Sequence, residues 1–233
     1  MERETGKNLI FGALAFSPDK CSGENLKGAK DKLTVYLKGA VVSLVSAKTS
    51  NPEVEVALVT DTEIPQRFLK IFDKFGVKVF HEEFDEFSFG VDYKWGLAFY
   101  KLCALKKMSV KGYSSCVLID LDTYTQSSLI DLFEETKHNV ILYDINHRLS
   151  LPNTVKFEKE VAAFLEREEP ITNFGGEFIA GSGEKLLRFI EIAENVYNEM
   201  LKKNFATSFG DEFIISIAAY CDKQDITCGG GYV

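Results

Sequence analysis

Two aspartates separated by one leucine follow a short apolar segment of the chain. Asp120 and Asp122 come directly after residues 116–119, which read CVLI. A continuous apolar run rich in branched side chains predicts a strand that is buried on both faces of a parallel sheet. Ligands of open α/β sheets bind outside the carboxyl ends of such strands, so we expect a binding site at these two aspartates.

The spacing of the two carboxylates favours a metal ion. Residues i and i+2 of an extended segment point to the same side, about 7 Å apart, so both carboxylates would face one ligand. A divalent cation would relieve their repulsion, and hard oxygen ligands favour Mg²⁺ or Mn²⁺, which usually also bind substrate phosphates. The alternative, that both aspartates only cap a turn and meet solvent, stays open at this point.

Two other motifs were weighed for the same segment. A calcium-binding EF-hand loop is rejected, because Thr125 stands where the loop needs glycine and Asp131 where it needs a bidentate glutamate. A phosphatase-type D-x-D-x-T nucleophile motif fits less well than a metal site, since its fifth position is Tyr124. It remains the weaker enzymatic alternative.

Strands and helices alternate along the chain, which predicts a mostly parallel, doubly wound sheet for the first half. A long polar loop follows the first strand, and the tail TCGGGYV is expected to be flexible. The predicted strands are 8–16, 54–60, 77–80, 116–119, 140–144 and 173–182. The predicted helices are 27–48, 65–75, 94–108, 127–135, 154–168, 183–203 and one that starts near Asp211.

Composition indicates one globular domain and narrows the function classes. The 233 residues carry a net charge of -8, which argues against a protein built to coat nucleic acid. The apolar stretch near the start is too short for a membrane span and lacks the flanks of a secretion signal, so we expect a cytoplasmic protein, with peripheral membrane association left open. The five cysteines show no C-x-x-C pairing, and we expect Cys103 and Cys116 to be buried free thiols. The three histidines have no zinc-site spacing.

Residues 95–133 resemble the GT-A glycosyltransferases, especially the glycogenin and bacterial galactosyltransferase branch. The matching residues are Tyr100-Lys101-Leu102, Tyr113, Asp120-Leu121-Asp122-Thr123 and Asp131-Leu132-Phe133. The resemblance implies a Rossmann-like, mixed and mostly parallel sheet flanked by helices in a single domain, residues 1–233. Residues of about 1–125 would bind a nucleotide-sugar, and about 126–233 would form the acceptor side.

The resemblance also implies roles for individual residues. Asp120 and Asp122 would hold Mn²⁺ or Mg²⁺ on the diphosphate of a donor, by family likeness a UDP-sugar, and a glycan or glycoconjugate would be the acceptor. The implied donor-binding residues are Ser17, Asp19, Lys20, Asp61, Lys101 (or Lys94), Gly175 and Gly176. The implied catalytic carboxylates are Glu212, Asp211 and Glu177, with Glu212 on the side of the reacting sugar.

Simpler interpretations accompany these roles. A lysine on a helix is often merely solvated, glycines at 175 and 176 could serve a bulged strand, and acids at 211 and 212 favour a helix N-terminus. The sequence also departs from the branch, since no histidine follows His147 to supply a third metal ligand and Gly175 replaces an asparagine. A metal-dependent phosphatase or nucleotidyltransferase, or a non-catalytic nucleotide-sugar-binding protein, therefore remains an alternative.

Overall fold

Seven strands form one mixed, mostly parallel sheet with helices on both faces in the computed structural model, which describes residues 6–16, 31–89, 96–222 and 226–233. The order across the sheet is β3-β2-β1-β4-β6-β5-β7. The strands are β1 (Asn8–Leu14), β2 (Glu55–Thr60), β3 (Val77–His81), β4 (Ser115–Ile119), β5 (Val140–Asp144), β6 (Phe174–Ser182) and β7 (Ile226–Cys228). The helices are α1 (Lys32–Ser50), α2 (Gln66–Lys74), α3 (Tyr100–Ser109), α4 (Ile130–Glu135), α5 (Leu151–Leu165), α6 (Gly183–Lys202) and α7 (Asp211–Cys221).

Helices cover both faces of the sheet, which explains why its central strands are apolar throughout. Successive side chains of a strand point to opposite faces. In β1, Leu9 and Phe11 pack with α3, α5, α6 and α7, whereas Ile10 and Leu14 pack with α1, α2 and α4. Every residue of β4 is buried, as its uninterrupted apolar run predicts. Cys103 and Cys116 are buried free thiols, as expected.

The first four strands are parallel, which confirms the prediction for the first half. Strand β1 pairs with β2 on one side and with β4 on the other. The chain therefore builds outward from β1 through β2 to β3 and then crosses to the opposite side for β4. The carboxyl ends of β1 and β4 flank the point where the strand order reverses, and open α/β sheets bind ligands at that point.

The second half departs from the parallel pattern. Strand β6 runs antiparallel to both β4 and β5, so its amino end lies at the same edge of the sheet as the carboxyl end of β4. The prediction of a flexible tail was wrong, because β7 pairs in parallel with β5 and Tyr232 donates a hydrogen bond to Glu135 at 2.7 Å. Three residues of strand are too few to produce a recognisable alternation of polar and apolar side chains.

Most predicted helices are present with shifted ends. Helix α5 begins at Leu151, three residues before the prediction, because Pro152 is tolerated in its first turn, and it ends at Leu165, where the next residue, Glu166, adopts a left-handed conformation (φ 58°). Helix α3 begins at Tyr100, and Lys94 lies outside the described residues. No helix in the described parts of the chain is long and apolar enough to cross a membrane.

Helix α1 packs tightly against the turn that follows β4. A Cβ atom at Gly39, in the middle of α1, would lie 2.8 Å from the carbonyl oxygen of Leu121. The side chain of Leu121 fills the space beside Gly12 of β1, where a Cβ atom would overlap it. Gly39 in α1 and Gly12 in β1 therefore allow the D-x-D segment to pack directly against the helix and the sheet.

Gly39→Ala is expected to destabilise the protein, although glycine-to-alanine changes inside helices normally stabilise by about 0.5–1 kcal/mol. The added methyl group would collide with the Leu121 carbonyl, so we expect the free energy of unfolding to fall by about 1–3 kcal/mol in urea titrations. Val42→Ala, at a position of the same helix that is 54% exposed, is the matched control and should be neutral or slightly stabilising. A Gly39→Ala protein as stable as the control variant would contradict the close packing.

Candidate functional site

The two aspartates of the D-x-D segment differ in their surroundings. Strand β4 ends at Ile119, and residues 121 and 122 form a turn, so the segment is not extended as the spacing argument assumed. Asp120 is half-buried, whereas Asp122 is exposed to solvent. Both residues nevertheless lie at the carboxyl end of a central strand beside the reversal of strand order, which is the location that the sequence predicted.

Hydroxyl groups fix the backbone at Asp120. The hydroxyls of Ser43, on α1, and of Thr123 both donate to the carbonyl oxygen of Asp120, at 2.9 and 2.6 Å. Farther along the same segment, the hydroxyl of Ser46 accepts from the amide of Thr125 at 3.0 Å. A polar stripe on α1 thus anchors the D-x-D turn. No prediction from the sequence included this stripe, although serines at positions 43, 46 and 50 have the spacing of one helix face.

Lys101 points into the site rather than into solvent. Its ammonium group lies 3.1 Å from Oδ2 of Asp120 and 3.3 Å from the carbonyl oxygen of Gly176. Its side chain is 14% exposed. Burial alone would lower the pKa of Lys101, but the carboxylates of Asp211 and Asp120 outweigh that effect and hold it above its ordinary value. The lysine is therefore fully charged at neutral pH, and the interpretation of a solvated helix lysine is wrong.

Two glycines of β6 make room for two carboxylates of the chain itself. A Cβ atom at Gly175 would overlap the side chain of Glu177, and one at Gly176 would overlap the carboxylate of Asp211. Within the described residues, Oε2 of Glu177 and Oδ2 of Asp211 are buried atoms without a hydrogen-bond partner. The backbone joins this group to β4, because the amide of Asp120 donates to the carbonyl oxygen of Glu177 at 2.9 Å.

The two adjacent acids at the start of α7 occupy different environments. Asp211 is buried, and burial raises its pKa to about 6 even though the charge of Lys101 opposes the shift. Glu212 is half-buried, and burial together with the negative charges of Asp211 and Glu177 raises its pKa to about 8. At neutral pH Asp211 is mostly ionised and Glu212 is mostly protonated. The sequence favoured Glu212 as the reacting carboxylate, whereas these protonation states favour Asp211 as a proton acceptor.

The ends of β1 and β2 form the other side of the site. Thr60, the last residue of β2, donates to the carbonyl oxygen of Leu14 at 2.7 Å, and the hydroxyl of Thr62 donates to Oδ1 of Asp61 at 2.8 Å. Asp61 follows β2 at this edge and is exposed. The three other predicted donor-binding residues, Ser17, Asp19 and Lys20, lie outside the described residues.

A basic and aromatic group borders the carboxylates on the side of β5. The guanidinium of Arg148 lies over the ring of Tyr143, 4.8 Å from its centre, and its Nη1 is 3.7 Å from Oε1 of Glu177. The Nε2 atom of His147 is 3.4 Å from the hydroxyl oxygen of Tyr143. No prediction from the sequence included this group, because no local motif links the end of β5 to Glu177 on the neighbouring strand.

The carboxylates offer few ligands to the divalent cation that the D-x-D segment predicts. No cluster of three or more His, Cys, Asp or Glu side chains arranged to hold a metal is present in the described ranges. Asp120 Oδ2 pairs with Lys101, and its Oδ1 accepts the neighbouring amide of Leu121 at 3.2 Å. Mg²⁺ commonly binds through one or two carboxylates and completes its shell with water and substrate phosphates. The described residues bring no third protein ligand to Asp120 and Asp122, so a cation held by this pair would need water and phosphate oxygens to complete its shell.

The stability of the free protein is expected to fall as the pH rises from about 4.5 to about 8. The pKa of Glu212 is higher in the folded than in the unfolded protein, so the folded state binds more protons across this window, and the free energy of unfolding decreases with pH. Glu212→Gln removes this contribution. We expect the stability of the variant relative to the parent to be greater at pH 8.5 than at pH 5, measured by urea unfolding with EDTA and without nucleotide.

The control for this pH experiment is Glu184→Gln. Glu184 is exposed in the first turn of α6, at the opposite edge of the sheet. The stability of Glu184→Gln relative to the parent should therefore not show the difference between pH 5 and pH 8.5 that is expected for Glu212→Gln. An equal effect of Glu212→Gln at both pH values would show that burial does not shift this carboxyl.

Comparison with known proteins assigns no family to this site. No protein-family model matches the chain, and no curated protein matches its sequence significantly. Its interpretation therefore depends on the residues and the geometry described above.

Proposed function

We propose that the protein is a metal-dependent glycosyltransferase that moves a sugar from a nucleotide diphosphate donor, in the first instance a UDP-sugar, to an acceptor hydroxyl group. One observation carries the proposal. Lys101, Asp120, Glu177 and Asp211 meet at the carboxyl end of β4, next to the reversal of strand order at which open α/β sheets bind ligands. This arrangement places the ammonium group of Lys101, which can bind phosphate, next to carboxylates that can interact with a sugar.

Different residues of the chain would bind the nucleotide, the diphosphate and the sugar of the donor. Asp61 would border the nucleotide at the ends of β1 and β2. Asp120 and Asp122 would hold Mn²⁺ or Mg²⁺, which would supply positive charge to the leaving diphosphate. Lys101 would place a second positive charge near the same leaving group. The amino end of β6 would face the sugar with the carboxylates of Glu177 and Asp211, for which Gly175 and Gly176 make room.

Transfer forms a bond between the acceptor oxygen and the anomeric carbon and breaks the bond from that carbon to the diphosphate. The acceptor proton must leave, and Asp211 is the residue that we assign to receive it. Its pKa of about 6 keeps it mostly ionised at neutral pH and yet close enough to the working pH for efficient general-base catalysis. Glu177 would stabilise positive charge that develops at the sugar or orient the acceptor, whereas Glu212, which is mostly protonated at neutral pH, would only help to orient the acceptor.

Two alternatives make different experimental demands. A metal-dependent phosphatase or nucleotidyltransferase would act on simple phosphate esters or on nucleoside triphosphates. A nucleotide-sugar-binding protein without activity would bind the donor and leave it intact. Thermal shift with a panel of UDP-sugars, with and without Mn²⁺, followed by assays of donor hydrolysis and sugar transfer, separates the three functions.

Asp120→Asn and Asp122→Asn should each remove metal-dependent stabilisation by a UDP-sugar. The parent should show an increase in Tm when Mn²⁺ and the donor are added together, and a smaller one with Mn²⁺ alone, because the diphosphate supplies part of the metal shell. Circular dichroism checks that each variant is folded.

Asp73→Asn is the matched control, since Asp73 is exposed near the far end of α2, away from the site. It should bind the donor as the parent does. Unimpaired donor binding and turnover in both D-x-D variants would falsify the assignment of the metal to this pair.

Asp211→Asn should lower kcat at least about a hundredfold, with donor Kd nearly unchanged, because general acid–base catalysis typically contributes that much. Glu212→Gln should have a smaller effect on kcat, since Glu212 is mostly protonated at neutral pH. Turnover and donor Kd are measured side by side for both variants at pH 7.

Glu184→Gln again serves as the control for loss of a carboxylate in the first turn of a helix, and it should retain parental turnover. A larger loss in Glu212→Gln than in Asp211→Asn would exchange the two roles. Full activity in both variants would move the catalytic carboxylate elsewhere, with Glu177 as the next candidate.

A further inference from the structure

The group formed by Tyr143, His147 and Arg148, here called the β5 platform, lies at the same edge of the sheet as the carboxylates. Tyr143 belongs to β5, and His147 and Arg148 lie in the short 3₁₀ helix Asn146–Arg148 that follows this strand. The aromatic ring of Tyr143 supports one face of the guanidinium plane at 4.8 Å. Stacking of this kind restricts the orientation of the guanidinium and leaves its N–H edge available.

The hydrogen-bonding capacity of Arg148 is largely unused. Its side chain is 54% exposed, and its polar contact in the described structure is Oε1 of Glu177 at 3.7 Å, which is longer than a hydrogen bond. A guanidinium presents five donors in a planar fork that matches carboxylate and phosphate groups. By contrast, the ammonium of Lys101 already makes contacts at 3.1 and 3.3 Å.

The location of the platform separates it from the nucleotide side. Across the sheet, the ends of β2 and β1 come first, then β4 and β6 with the carboxylates, and then β5 with the platform. A donor at the reversal between β1 and β4 would therefore have the carboxylates between itself and Arg148. A second substrate whose hydroxyl group reaches the carboxylates from the other side would meet Arg148.

We propose that the β5 platform binds an anionic group of the acceptor, so that the preferred acceptor is a sugar that carries a carboxylate or a phosphate close to the hydroxyl group that reacts. This inference rests on the proposed glycosyltransferase function. Glu177 would orient the acceptor hydroxyl, while Arg148 leaves its long contact with Glu177 and forms a paired hydrogen bond with the acceptor anion. An acceptor without the anion would leave this guanidinium unpaired, which lowers its affinity.

The test compares acceptors that differ only in the anionic group. With Mn²⁺ and a UDP-sugar that the protein hydrolyses, transfer to methyl glucoside, methyl glucuronide and methyl glucoside 6-phosphate is followed by mass spectrometry. We expect KM for at least one anionic acceptor to be about tenfold or more below that for the neutral one, as charge-assisted hydrogen bonds would produce. The carboxylate and phosphate members distinguish the two sources of the anion.

Arg148→Gln should abolish this preference for the anionic acceptor. Arg167→Gln is the matched control, because Arg167 is also exposed (60%) but lies past the other end of α5, a helix whose 15 residues span about 22 Å. The control should keep the preference. Calorimetric titration of the anionic acceptors without donor repeats the comparison independently of turnover.

Three results would overturn the inference: equal use of neutral and anionic acceptors by the parent, a preference that survives Arg148→Gln, or no binding of any anionic acceptor by a protein that still hydrolyses UDP-sugar. Failure of the proposed function looks different, since the parent would then neither bind nor hydrolyse any UDP-sugar in the presence of Mn²⁺.

Discussion

The positive charge of Lys101 makes the rest of the site possible. Asp120, Glu177 and Asp211 come from three different elements, and like charges brought together in a half-buried place repel one another. The ammonium of Lys101 contacts Asp120 and the backbone of Gly176, and its charge lowers the pKa of Asp211 against the effect of burial. A neutral residue at this position would leave Asp120 and Asp211 without that compensation, and removing one partner of a partly buried ion pair is destabilising.

The direction of β6 determines which negatively charged residues lie close enough for the charge of Lys101 to compensate them. Because β6 runs antiparallel to β4, its first residues lie beside the end of β4, and Glu177 is bonded to Asp120 through the backbone. A parallel β6 would carry Gly175, Gly176 and Glu177 to the opposite edge of the sheet. Antiparallel pairing also places the amino end of β6 next to β5, which is why Arg148 meets Glu177.

Local patterns predicted much of the fold, and the limits of that prediction have physical causes. The apolar run before Asp120 identified a buried strand and hence a strand-end site, because burial on both faces needs no alternation. Apolar runs do not encode strand direction, so the sequence predicted the strand β6 but not its antiparallel pairing with β4. Lys101 lies between Tyr100 and Leu102, and sequence alone does not tell which side of α3 faces the sheet. Arg148 depends on a neighbour across strands, which no local motif reveals.

Two buried carboxylate oxygens without a hydrogen-bond partner among the described residues lie at the edge of the sheet that the D-x-D motif predicted as the site. Elsewhere in the core, buried hydroxyls are paired, as between Ser115 and Thr136 at 2.7 Å. An unsatisfied buried acceptor costs about 1–3 kcal/mol, so Oε2 of Glu177 and Oδ2 of Asp211 reduce stability. Violations of this kind are expected where function requires them. Both atoms lie beside Gly175 and Gly176, the positions at which the D-x-D segment, Lys101 and the start of α7 converge. The unfavourable burial of these two oxygens therefore coincides with the residues on which the proposed function depends.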